Sequence, residues 1–211
     1  GATQESATPP VDSLASNLRV AASIPGAIKL DRAWQRGIPK DPVLARRYVA
    51  ETYGWDETLL TTIGLARPRQ ALAAVLRHNL DASQSEIGIG TKALVGLIFA
   101  DRAANETLAD NSVALAERHG VDKDVIEAVR QTSTAPNPGE ALSSLSPDLS
   151  SAAIAALTMA HAIASSPAMV DEPTVHLVTS ELSSPATVEV AVWVSICQLI
   201  HRLSVYYGQT N

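Results

Sequence analysis

The residues able to move protons or hold a ligand are few and scattered along the 211-residue chain. They are Glu86 at the head of an apolar run, Asp101, Arg102, Asn105 and Asp110 in one short stretch, His161 among small residues, and Cys197 with His201 four positions later. Glu86 reads either as a first-turn acid favoured by a helix dipole or as a pocket carboxylate whose raised pKa suits a proton shuttle. The Asp101 to Asp110 stretch reads either as a solvated loop or as a ligand-facing set offering both acid and base groups. His161 sits in "TMAHAIA", where small neighbours leave room for a ligand beside a base, or where a core histidine finds one hydrogen bond. Cys197 and His201 share a helix face, but two soft donors are too few to hold zinc. Within "VWVSICQLI" the thiol reads as a small core hydrophobe. As the single cysteine, it allows neither an intrachain disulfide nor a dithiol cycle.

These groups need a scaffold, and the composition points to helices. The chain is 46% hydrophobic with only 4% aromatic residues, which suits packed helices better than a sandwich or barrel. All periodic segments follow the 3.6-residue repeat, so an all-α fold is predicted. Residues 1–40 carry Pro25, Gly26, Gly37 and Pro39 and read as a tail and irregular arm, with Trp34 as an aromatic anchor. Residues 41–211 read as one helical domain. Asp41 with Pro42 marks a helix start and Gly54 its stop; Asn105 with Glu106 marks another, ending at Gly120. Gly88, Gly90 and Gly96 on one apolar helix call for close packing. "TSTAPNPGEALSSLSPD" reads as a turn-rich connector, and the last third as three helices, Ser150 to Ser165, Glu172 to Leu182 and Pro185 to Tyr207.

A net charge of −6 offers no cationic field for a phosphate backbone, so nucleic-acid binding is not expected. The apolar segments Ile87 to Ala100 and Ser151 to Ala164 are too short or interrupted to cross a bilayer, so no membrane partner is expected either. A cytoplasmic location follows as the simplest expectation, although a first residue of Gly rather than Met leaves room for a removed leader. No metal or cofactor is expected.

The segment "LSSAAIAALTMAHAIASSPAMVDEPTVHLVTSELSSPATVEVAVWVSICQLIHRLSVYYG" resembles the closing half of the alkylhydroperoxidase AhpD-like superfamily, which includes the carboxymuconolactone decarboxylases. "LAERHGVDKDVIEAVR" resembles the helix end, glycine stop and short helix that follow the family's redox motif. The resemblance runs from about Leu72 to Gly208 and implies an AhpD-like helical bundle. It also implies a homo-oligomer (dimer, trimer or hexamer) and a small-molecule ligand. Redox members place Cys-x-x-Cys-x-x-x-His at a helix start after a glutamate. Counting back from Gly120 puts the three motif positions on Asn105, Leu108 and Ser112, whereas counting on from Glu86 puts them on Ile98, Asp101 and Asn105. Neither register contains a cysteine or histidine, so dithiol peroxidase activity is not expected. The expected function is cofactor-independent handling of a small organic molecule, with Glu86, Asp101, Asn105 and His161 as candidate catalytic residues. The alternatives are a noncatalytic oligomeric scaffold or regulatory binder and, last, a weak peroxidase working through Cys197 alone.

Overall fold

A computed structural model describes residues 33–135, 137–165, 168 and 170–208; most of the predicted tail and arm lies outside the described residues. Among the described residues the fold is all-helical, with no strand. The helices are α1 (Pro42–Tyr53), α2 (Leu59–Thr62), α3 (Ala66–Asn79), α4 (Ile89–Arg102) and α5 (Glu106–Arg118). They continue with α6 (Lys123–Thr132), α7 (Pro138–Ser143), α8 (Ser151–Ile163), α9 (Glu172–Glu181) and α10 (Ser184–Gly208).

The boundaries follow local chemistry. Asp41 caps α1 by accepting from the Leu44 backbone N–H at 2.9 Å, Pro42 takes the first position, and Gly54 ends the helix at φ +76°. Asn105 caps α5 through the Leu108 N–H, and Ser150 and Asp171 cap α8 and α9 in the same way. Two boundaries differ from those read in the sequence. The predicted connector holds the short helix α7, which Asn137 caps and Pro138 starts. The apolar run makes a helix only from Ile89, because Gly88 stands before it at φ +77°.

α4 is buried on nearly every side and is the axis of the fold; α5 returns against it as a hairpin partner, while α8 and α10 cover its other faces. Gly96 makes this possible. A Cβ there would stand 2.9 Å from Ser112 Oγ on α5 and 3.2 Å from Trp193 Nε1 on α10. Its bare surface therefore serves packing within the chain. α1 to α3 form a second layer, joined to the first by Trp55, which meets Trp193 edge to face at 5.3 Å. Asn111 adds a two-way bond, accepting from the Asp56 N–H and donating to the Asp56 carbonyl, both at 3.1 Å. The described end of the arm lies along α3. There Arg77 donates to the Trp34 and Arg36 carbonyls, Gln70 to Ile38 and Arg69 to Lys40, and Trp34 stacks on His78.

One helix departs from the sequence reading of membrane spans. By length and composition α10 is long and apolar enough to cross a bilayer. One face packs on α4 and α8, and Glu189 in its first third ties it to the protein interior. Glu189 pairs at 2.5 Å with Lys92 of α4, itself 2% exposed, and accepts from Ser85 Oγ and the Glu86 and Ile87 N–H groups. These bonds tie one face of α10 to the protein interior.

Candidate functional site

A cavity of about 840 Å³ opens between the end of α4, α7, the last turns of α8 and the start of α9. Arg102, Asn137, Glu140, Thr158, His161 and Asp171 supply its polar wall, and Pro138, Ala162, Pro173 and Leu177 supply apolar surface. That mixture suits a small organic molecule.

His161 stands between this cavity and the core. Thr132 Oγ1 donates its single proton to the Val129 carbonyl at 2.6 Å, so it accepts from His161 Nε2–H at 2.9 Å. That bond fixes the tautomer: Nδ1 keeps its lone pair and faces the Arg102 guanidinium at 3.5 Å. Burial, and then the Arg102 charge, pull the imidazole pKa down from 6.5 to about 4. His161 is therefore neutral at physiological pH, with an unprotonated nitrogen beside a fixed cation. Arg102 is held in turn by Ser165 Oγ, which accepts from it at 3.0 Å while donating to the His161 carbonyl.

The other candidates from the sequence do not converge here. Asp101 points to a neighbouring cavity of about 470 Å³, where it pairs with Arg130 at 3.4 Å; burial raises its pKa above the ordinary carboxylate value, and Arg130 opposes that rise. Asn105, besides capping α5, donates to His201 Nδ1 at 3.2 Å, and Phe99 meets the same imidazole edge to face. Asp110 is exposed on α5. Glu86 is exposed in the loop before α4, so the predicted first-turn position is not where it lies. It borders an apolar groove of about 870 Å³ made with Trp34, Val75, Val188 and Val192. The stretch that looked like one polar cluster thus splits, because Asp101 and Arg102 leave the last turn of α4 about 100° apart, while Asn105 and Asp110 lie past the turn at the cap and on the body of α5.

A second polar group lies deep in the core around Gly96. Ser112 Oγ and Trp193 Nε1 are buried there without a hydrogen-bond partner, and Cys197 Sγ is 3.7 Å from the point where a Gly96 Cβ would stand. Glu57, 2% exposed, accepts from Trp55 Nε1 and the Leu59 N–H; burial nevertheless raises its pKa. Cys197 is fully buried, and burial with the nearby Glu57 charge pushes its thiol far above the usual range. This thiol has none of the exposure or cationic surroundings of a reactive one. Among the described residues no group of three His, Cys, Asp or Glu could hold a metal.

Several of these residues escaped sequence reasoning. Lys92 in "IGTKALVG" and Glu189 in "TVEVAVWV" carried a usable signal, since a lone charge inside an apolar helix needs a buried partner. Thr132 and Ser165 carried none, as each meets its partner only through tertiary packing.

Comparison with family models and with curated proteins found no match. Two solved structures match the fold. One, of apo Bmp8, a debrominase, is 19% identical with a TM-score of 0.63, covering 80% of this chain and 83% of that one. The other is a variant of the same debrominase in complex with 2,3,4-tribromopyrrole, at 19% identity and a TM-score of 0.62, covering 77% and 81%. The chain shares its fold with Bmp8. At this identity the likeness extends to the helical architecture, which is consistent with an AhpD-like bundle.

Proposed function

We propose that this chain is an AhpD-like, carboxymuconolactone decarboxylase-like protein that takes up a small organic molecule in the Arg102–His161 cavity and acts on it without a redox dithiol. The observation that carries this reading is the locked imidazole, whose Nδ1 lone pair stands beside an uncompensated guanidinium at the wall of an 840 Å³ cavity. The Nδ1 lone pair accepts from Arg102 at 3.5 Å, so it becomes a proton acceptor when an electron-rich substrate group takes over that guanidinium N–H, an arrangement suited to lyase or isomerase chemistry. The low pKa limits the driving force for proton removal, so modest rates are expected. The match to a fold whose solved structures include a tribromopyrrole complex supports a small-molecule ligand.

The register counted from Gly120 fits the geometry better, because it places Asn105 at the N-cap of α5 and Ser112 further in, as a motif at a helix start requires. In that register Ser112 is buried against Trp193, so side chains fill the space beside it. The test is a thermal-shift screen of small organic compounds on the protein and on Ala162→Phe, which fills the cavity. Compounds that stabilise the first and not the second are expected, and hits are then incubated and followed by mass spectrometry for conversion. A screen with no stabilising compound contradicts the reading.

A second reading, an oligomeric scaffold, is favoured by one observation. The outer stripe of α10 exposes Val188, Val192, Leu199 and Tyr206 at helical spacing. Light scattering decides it: a mass near 22 kDa at micromolar concentration would refute self-association.

A further inference from the structure

We propose that the ligand of the Arg102–His161 cavity is a small organic monoanion, a carboxylate held by the Arg102 guanidinium. The inference rests on the assignment of that cavity as the ligand site and adds the charge of the ligand.

It starts from what Arg102 lacks. Arg46 pairs with Asp56 at 2.5 Å and Arg130 with Asp101, while Arg69 and Arg77 spend their N–H groups on backbone carbonyls. Arg102 has no carboxylate partner among the described residues. Its contacts are a neutral imidazole nitrogen at 3.5 Å and a hydroxyl at 3.0 Å. These orient the guanidinium without neutralising it, and the side chain is otherwise exposed. Two of its five N–H groups are used in this way, and the others remain for a ligand. A preoriented guanidinium presents paired N–H bonds that match the two oxygens of a carboxylate, which a neutral ligand cannot exploit to the same degree.

The rest of the wall sets the number of charges. Arg102 is the one cationic side chain among the described lining residues, since His161 is neutral, and two carboxylates, Asp171 and Glu140, line the same space. Asp171 is committed to capping α9, where its side chain accepts from the Thr174 N–H at 2.9 Å. Glu140 stands in the first turn of α7, where Asn137 Nδ2 donates to it at 3.3 Å. Both carboxylates are exposed, so their repulsion is screened by salt, but a second negative charge on the ligand finds no second cation in this lining to offset it. Leu177, Ala162 and Pro173 supply apolar surface for an uncharged body. The fitting ligand therefore has one carboxylate and a compact apolar remainder.

The probes are benzoate, benzamide, phthalate and phenol, titrated by calorimetry into the protein and into Arg102→Gln at low salt. Benzoate is expected to bind about tenfold or more tightly than benzamide, with phthalate weaker than benzoate. Arg102→Gln is expected to erase the preference for benzoate, and added salt to weaken benzoate alone. Benzamide or phenol binding as well as benzoate would overturn the charge assignment and leave the cavity assignment standing. Failure of all four probes would overturn both. The acid and amide comparison on the unaltered protein needs no variant, so a folding defect in Arg102→Gln does not shield the proposal.

Discussion

Replacing His161 by glutamine changes how stability depends on pH, and the size of the change follows from the site. The imidazole is 5% exposed, bonded through Nε2–H to Thr132, and its pKa is about 4 against 6.5 for an unconstrained histidine. Above pH 6.5 the ring is neutral in both folded and unfolded chains and carries no proton-linked penalty. As pH falls through 6.5 the unfolded chain takes a proton that the folded chain refuses, and the loss continues until the folded group also titrates near pH 4. The depressed pKa therefore means stability that is present above 6.5 and lost toward acid, about 3 kcal/mol in total and about 2 kcal/mol of it by pH 4.5. The glutamine side chain cannot take up that proton in either state, while its amide can still donate to Thr132. Urea unfolding of both proteins at neutral pH and near pH 4.5 isolates the effect, because the other acid-sensitive groups are common to both. The advantage of the wild-type protein is expected to shrink by about 2 kcal/mol on acidification. Parallel stability curves for the two proteins, or a His161 ring signal titrating near 6.5 by NMR, would refute the locked neutral imidazole.

Three further outcomes follow from the packing. Glu189→Ala strands the buried Lys92 ammonium and is expected to cost about 3–5 kcal/mol in unfolding experiments, part of it recovered when Lys92→Met is added to the same variant; a loss under about 1 kcal/mol would show the pair is solvated. Gly96→Ala, with its new Cβ 2.9 Å from Ser112 Oγ, is expected to destabilise by about 1 kcal/mol or more despite alanine's better helix propensity. Adding Ser112→Gly is expected to restore part of that loss; a stabilised Gly96→Ala protein would mean the helices part easily. Cys197 is expected to react with a thiol reagent only in denaturant, and Cys197→Ala to leave ligand binding unchanged; rapid labelling of the native protein would contradict its burial.

The helices and their caps were legible because capping and periodicity are local. Asp41, Asn105 and Gly54 act on backbone groups within a few residues, and the three C-terminal helices fall within about two residues of where apolar spacing put them. The candidate site was legible only in part. His161 was singled out through its small neighbours, whereas Arg102 was read as one of a group with Asp101 and Asn105. Those three side chains lie close in sequence, but Asp101 and Arg102 leave the last turn of α4 about 100° apart, toward Arg130 and His161, and Asn105, past the turn, meets His201. Sequence proximity carried no information about that divergence. Thr132, which sets the tautomer, belongs to a helix 29 residues upstream of His161 and met it only through the fold. The close packing that the glycines called for is met at Gly96 by Ser112 and Trp193 of its own chain.

The most direct test of the ligand site is crystallographic: soak crystals of the protein with small organic fragments, including benzoate, and locate the bound molecules. Electron density is expected between α4, α7, α8 and α9, in contact with Arg102 and beside His161 Nδ1. Fragments gathering instead in the apolar groove of Trp34, Val188 and Val192, with the Arg102 cavity empty at saturating concentration, would contradict it.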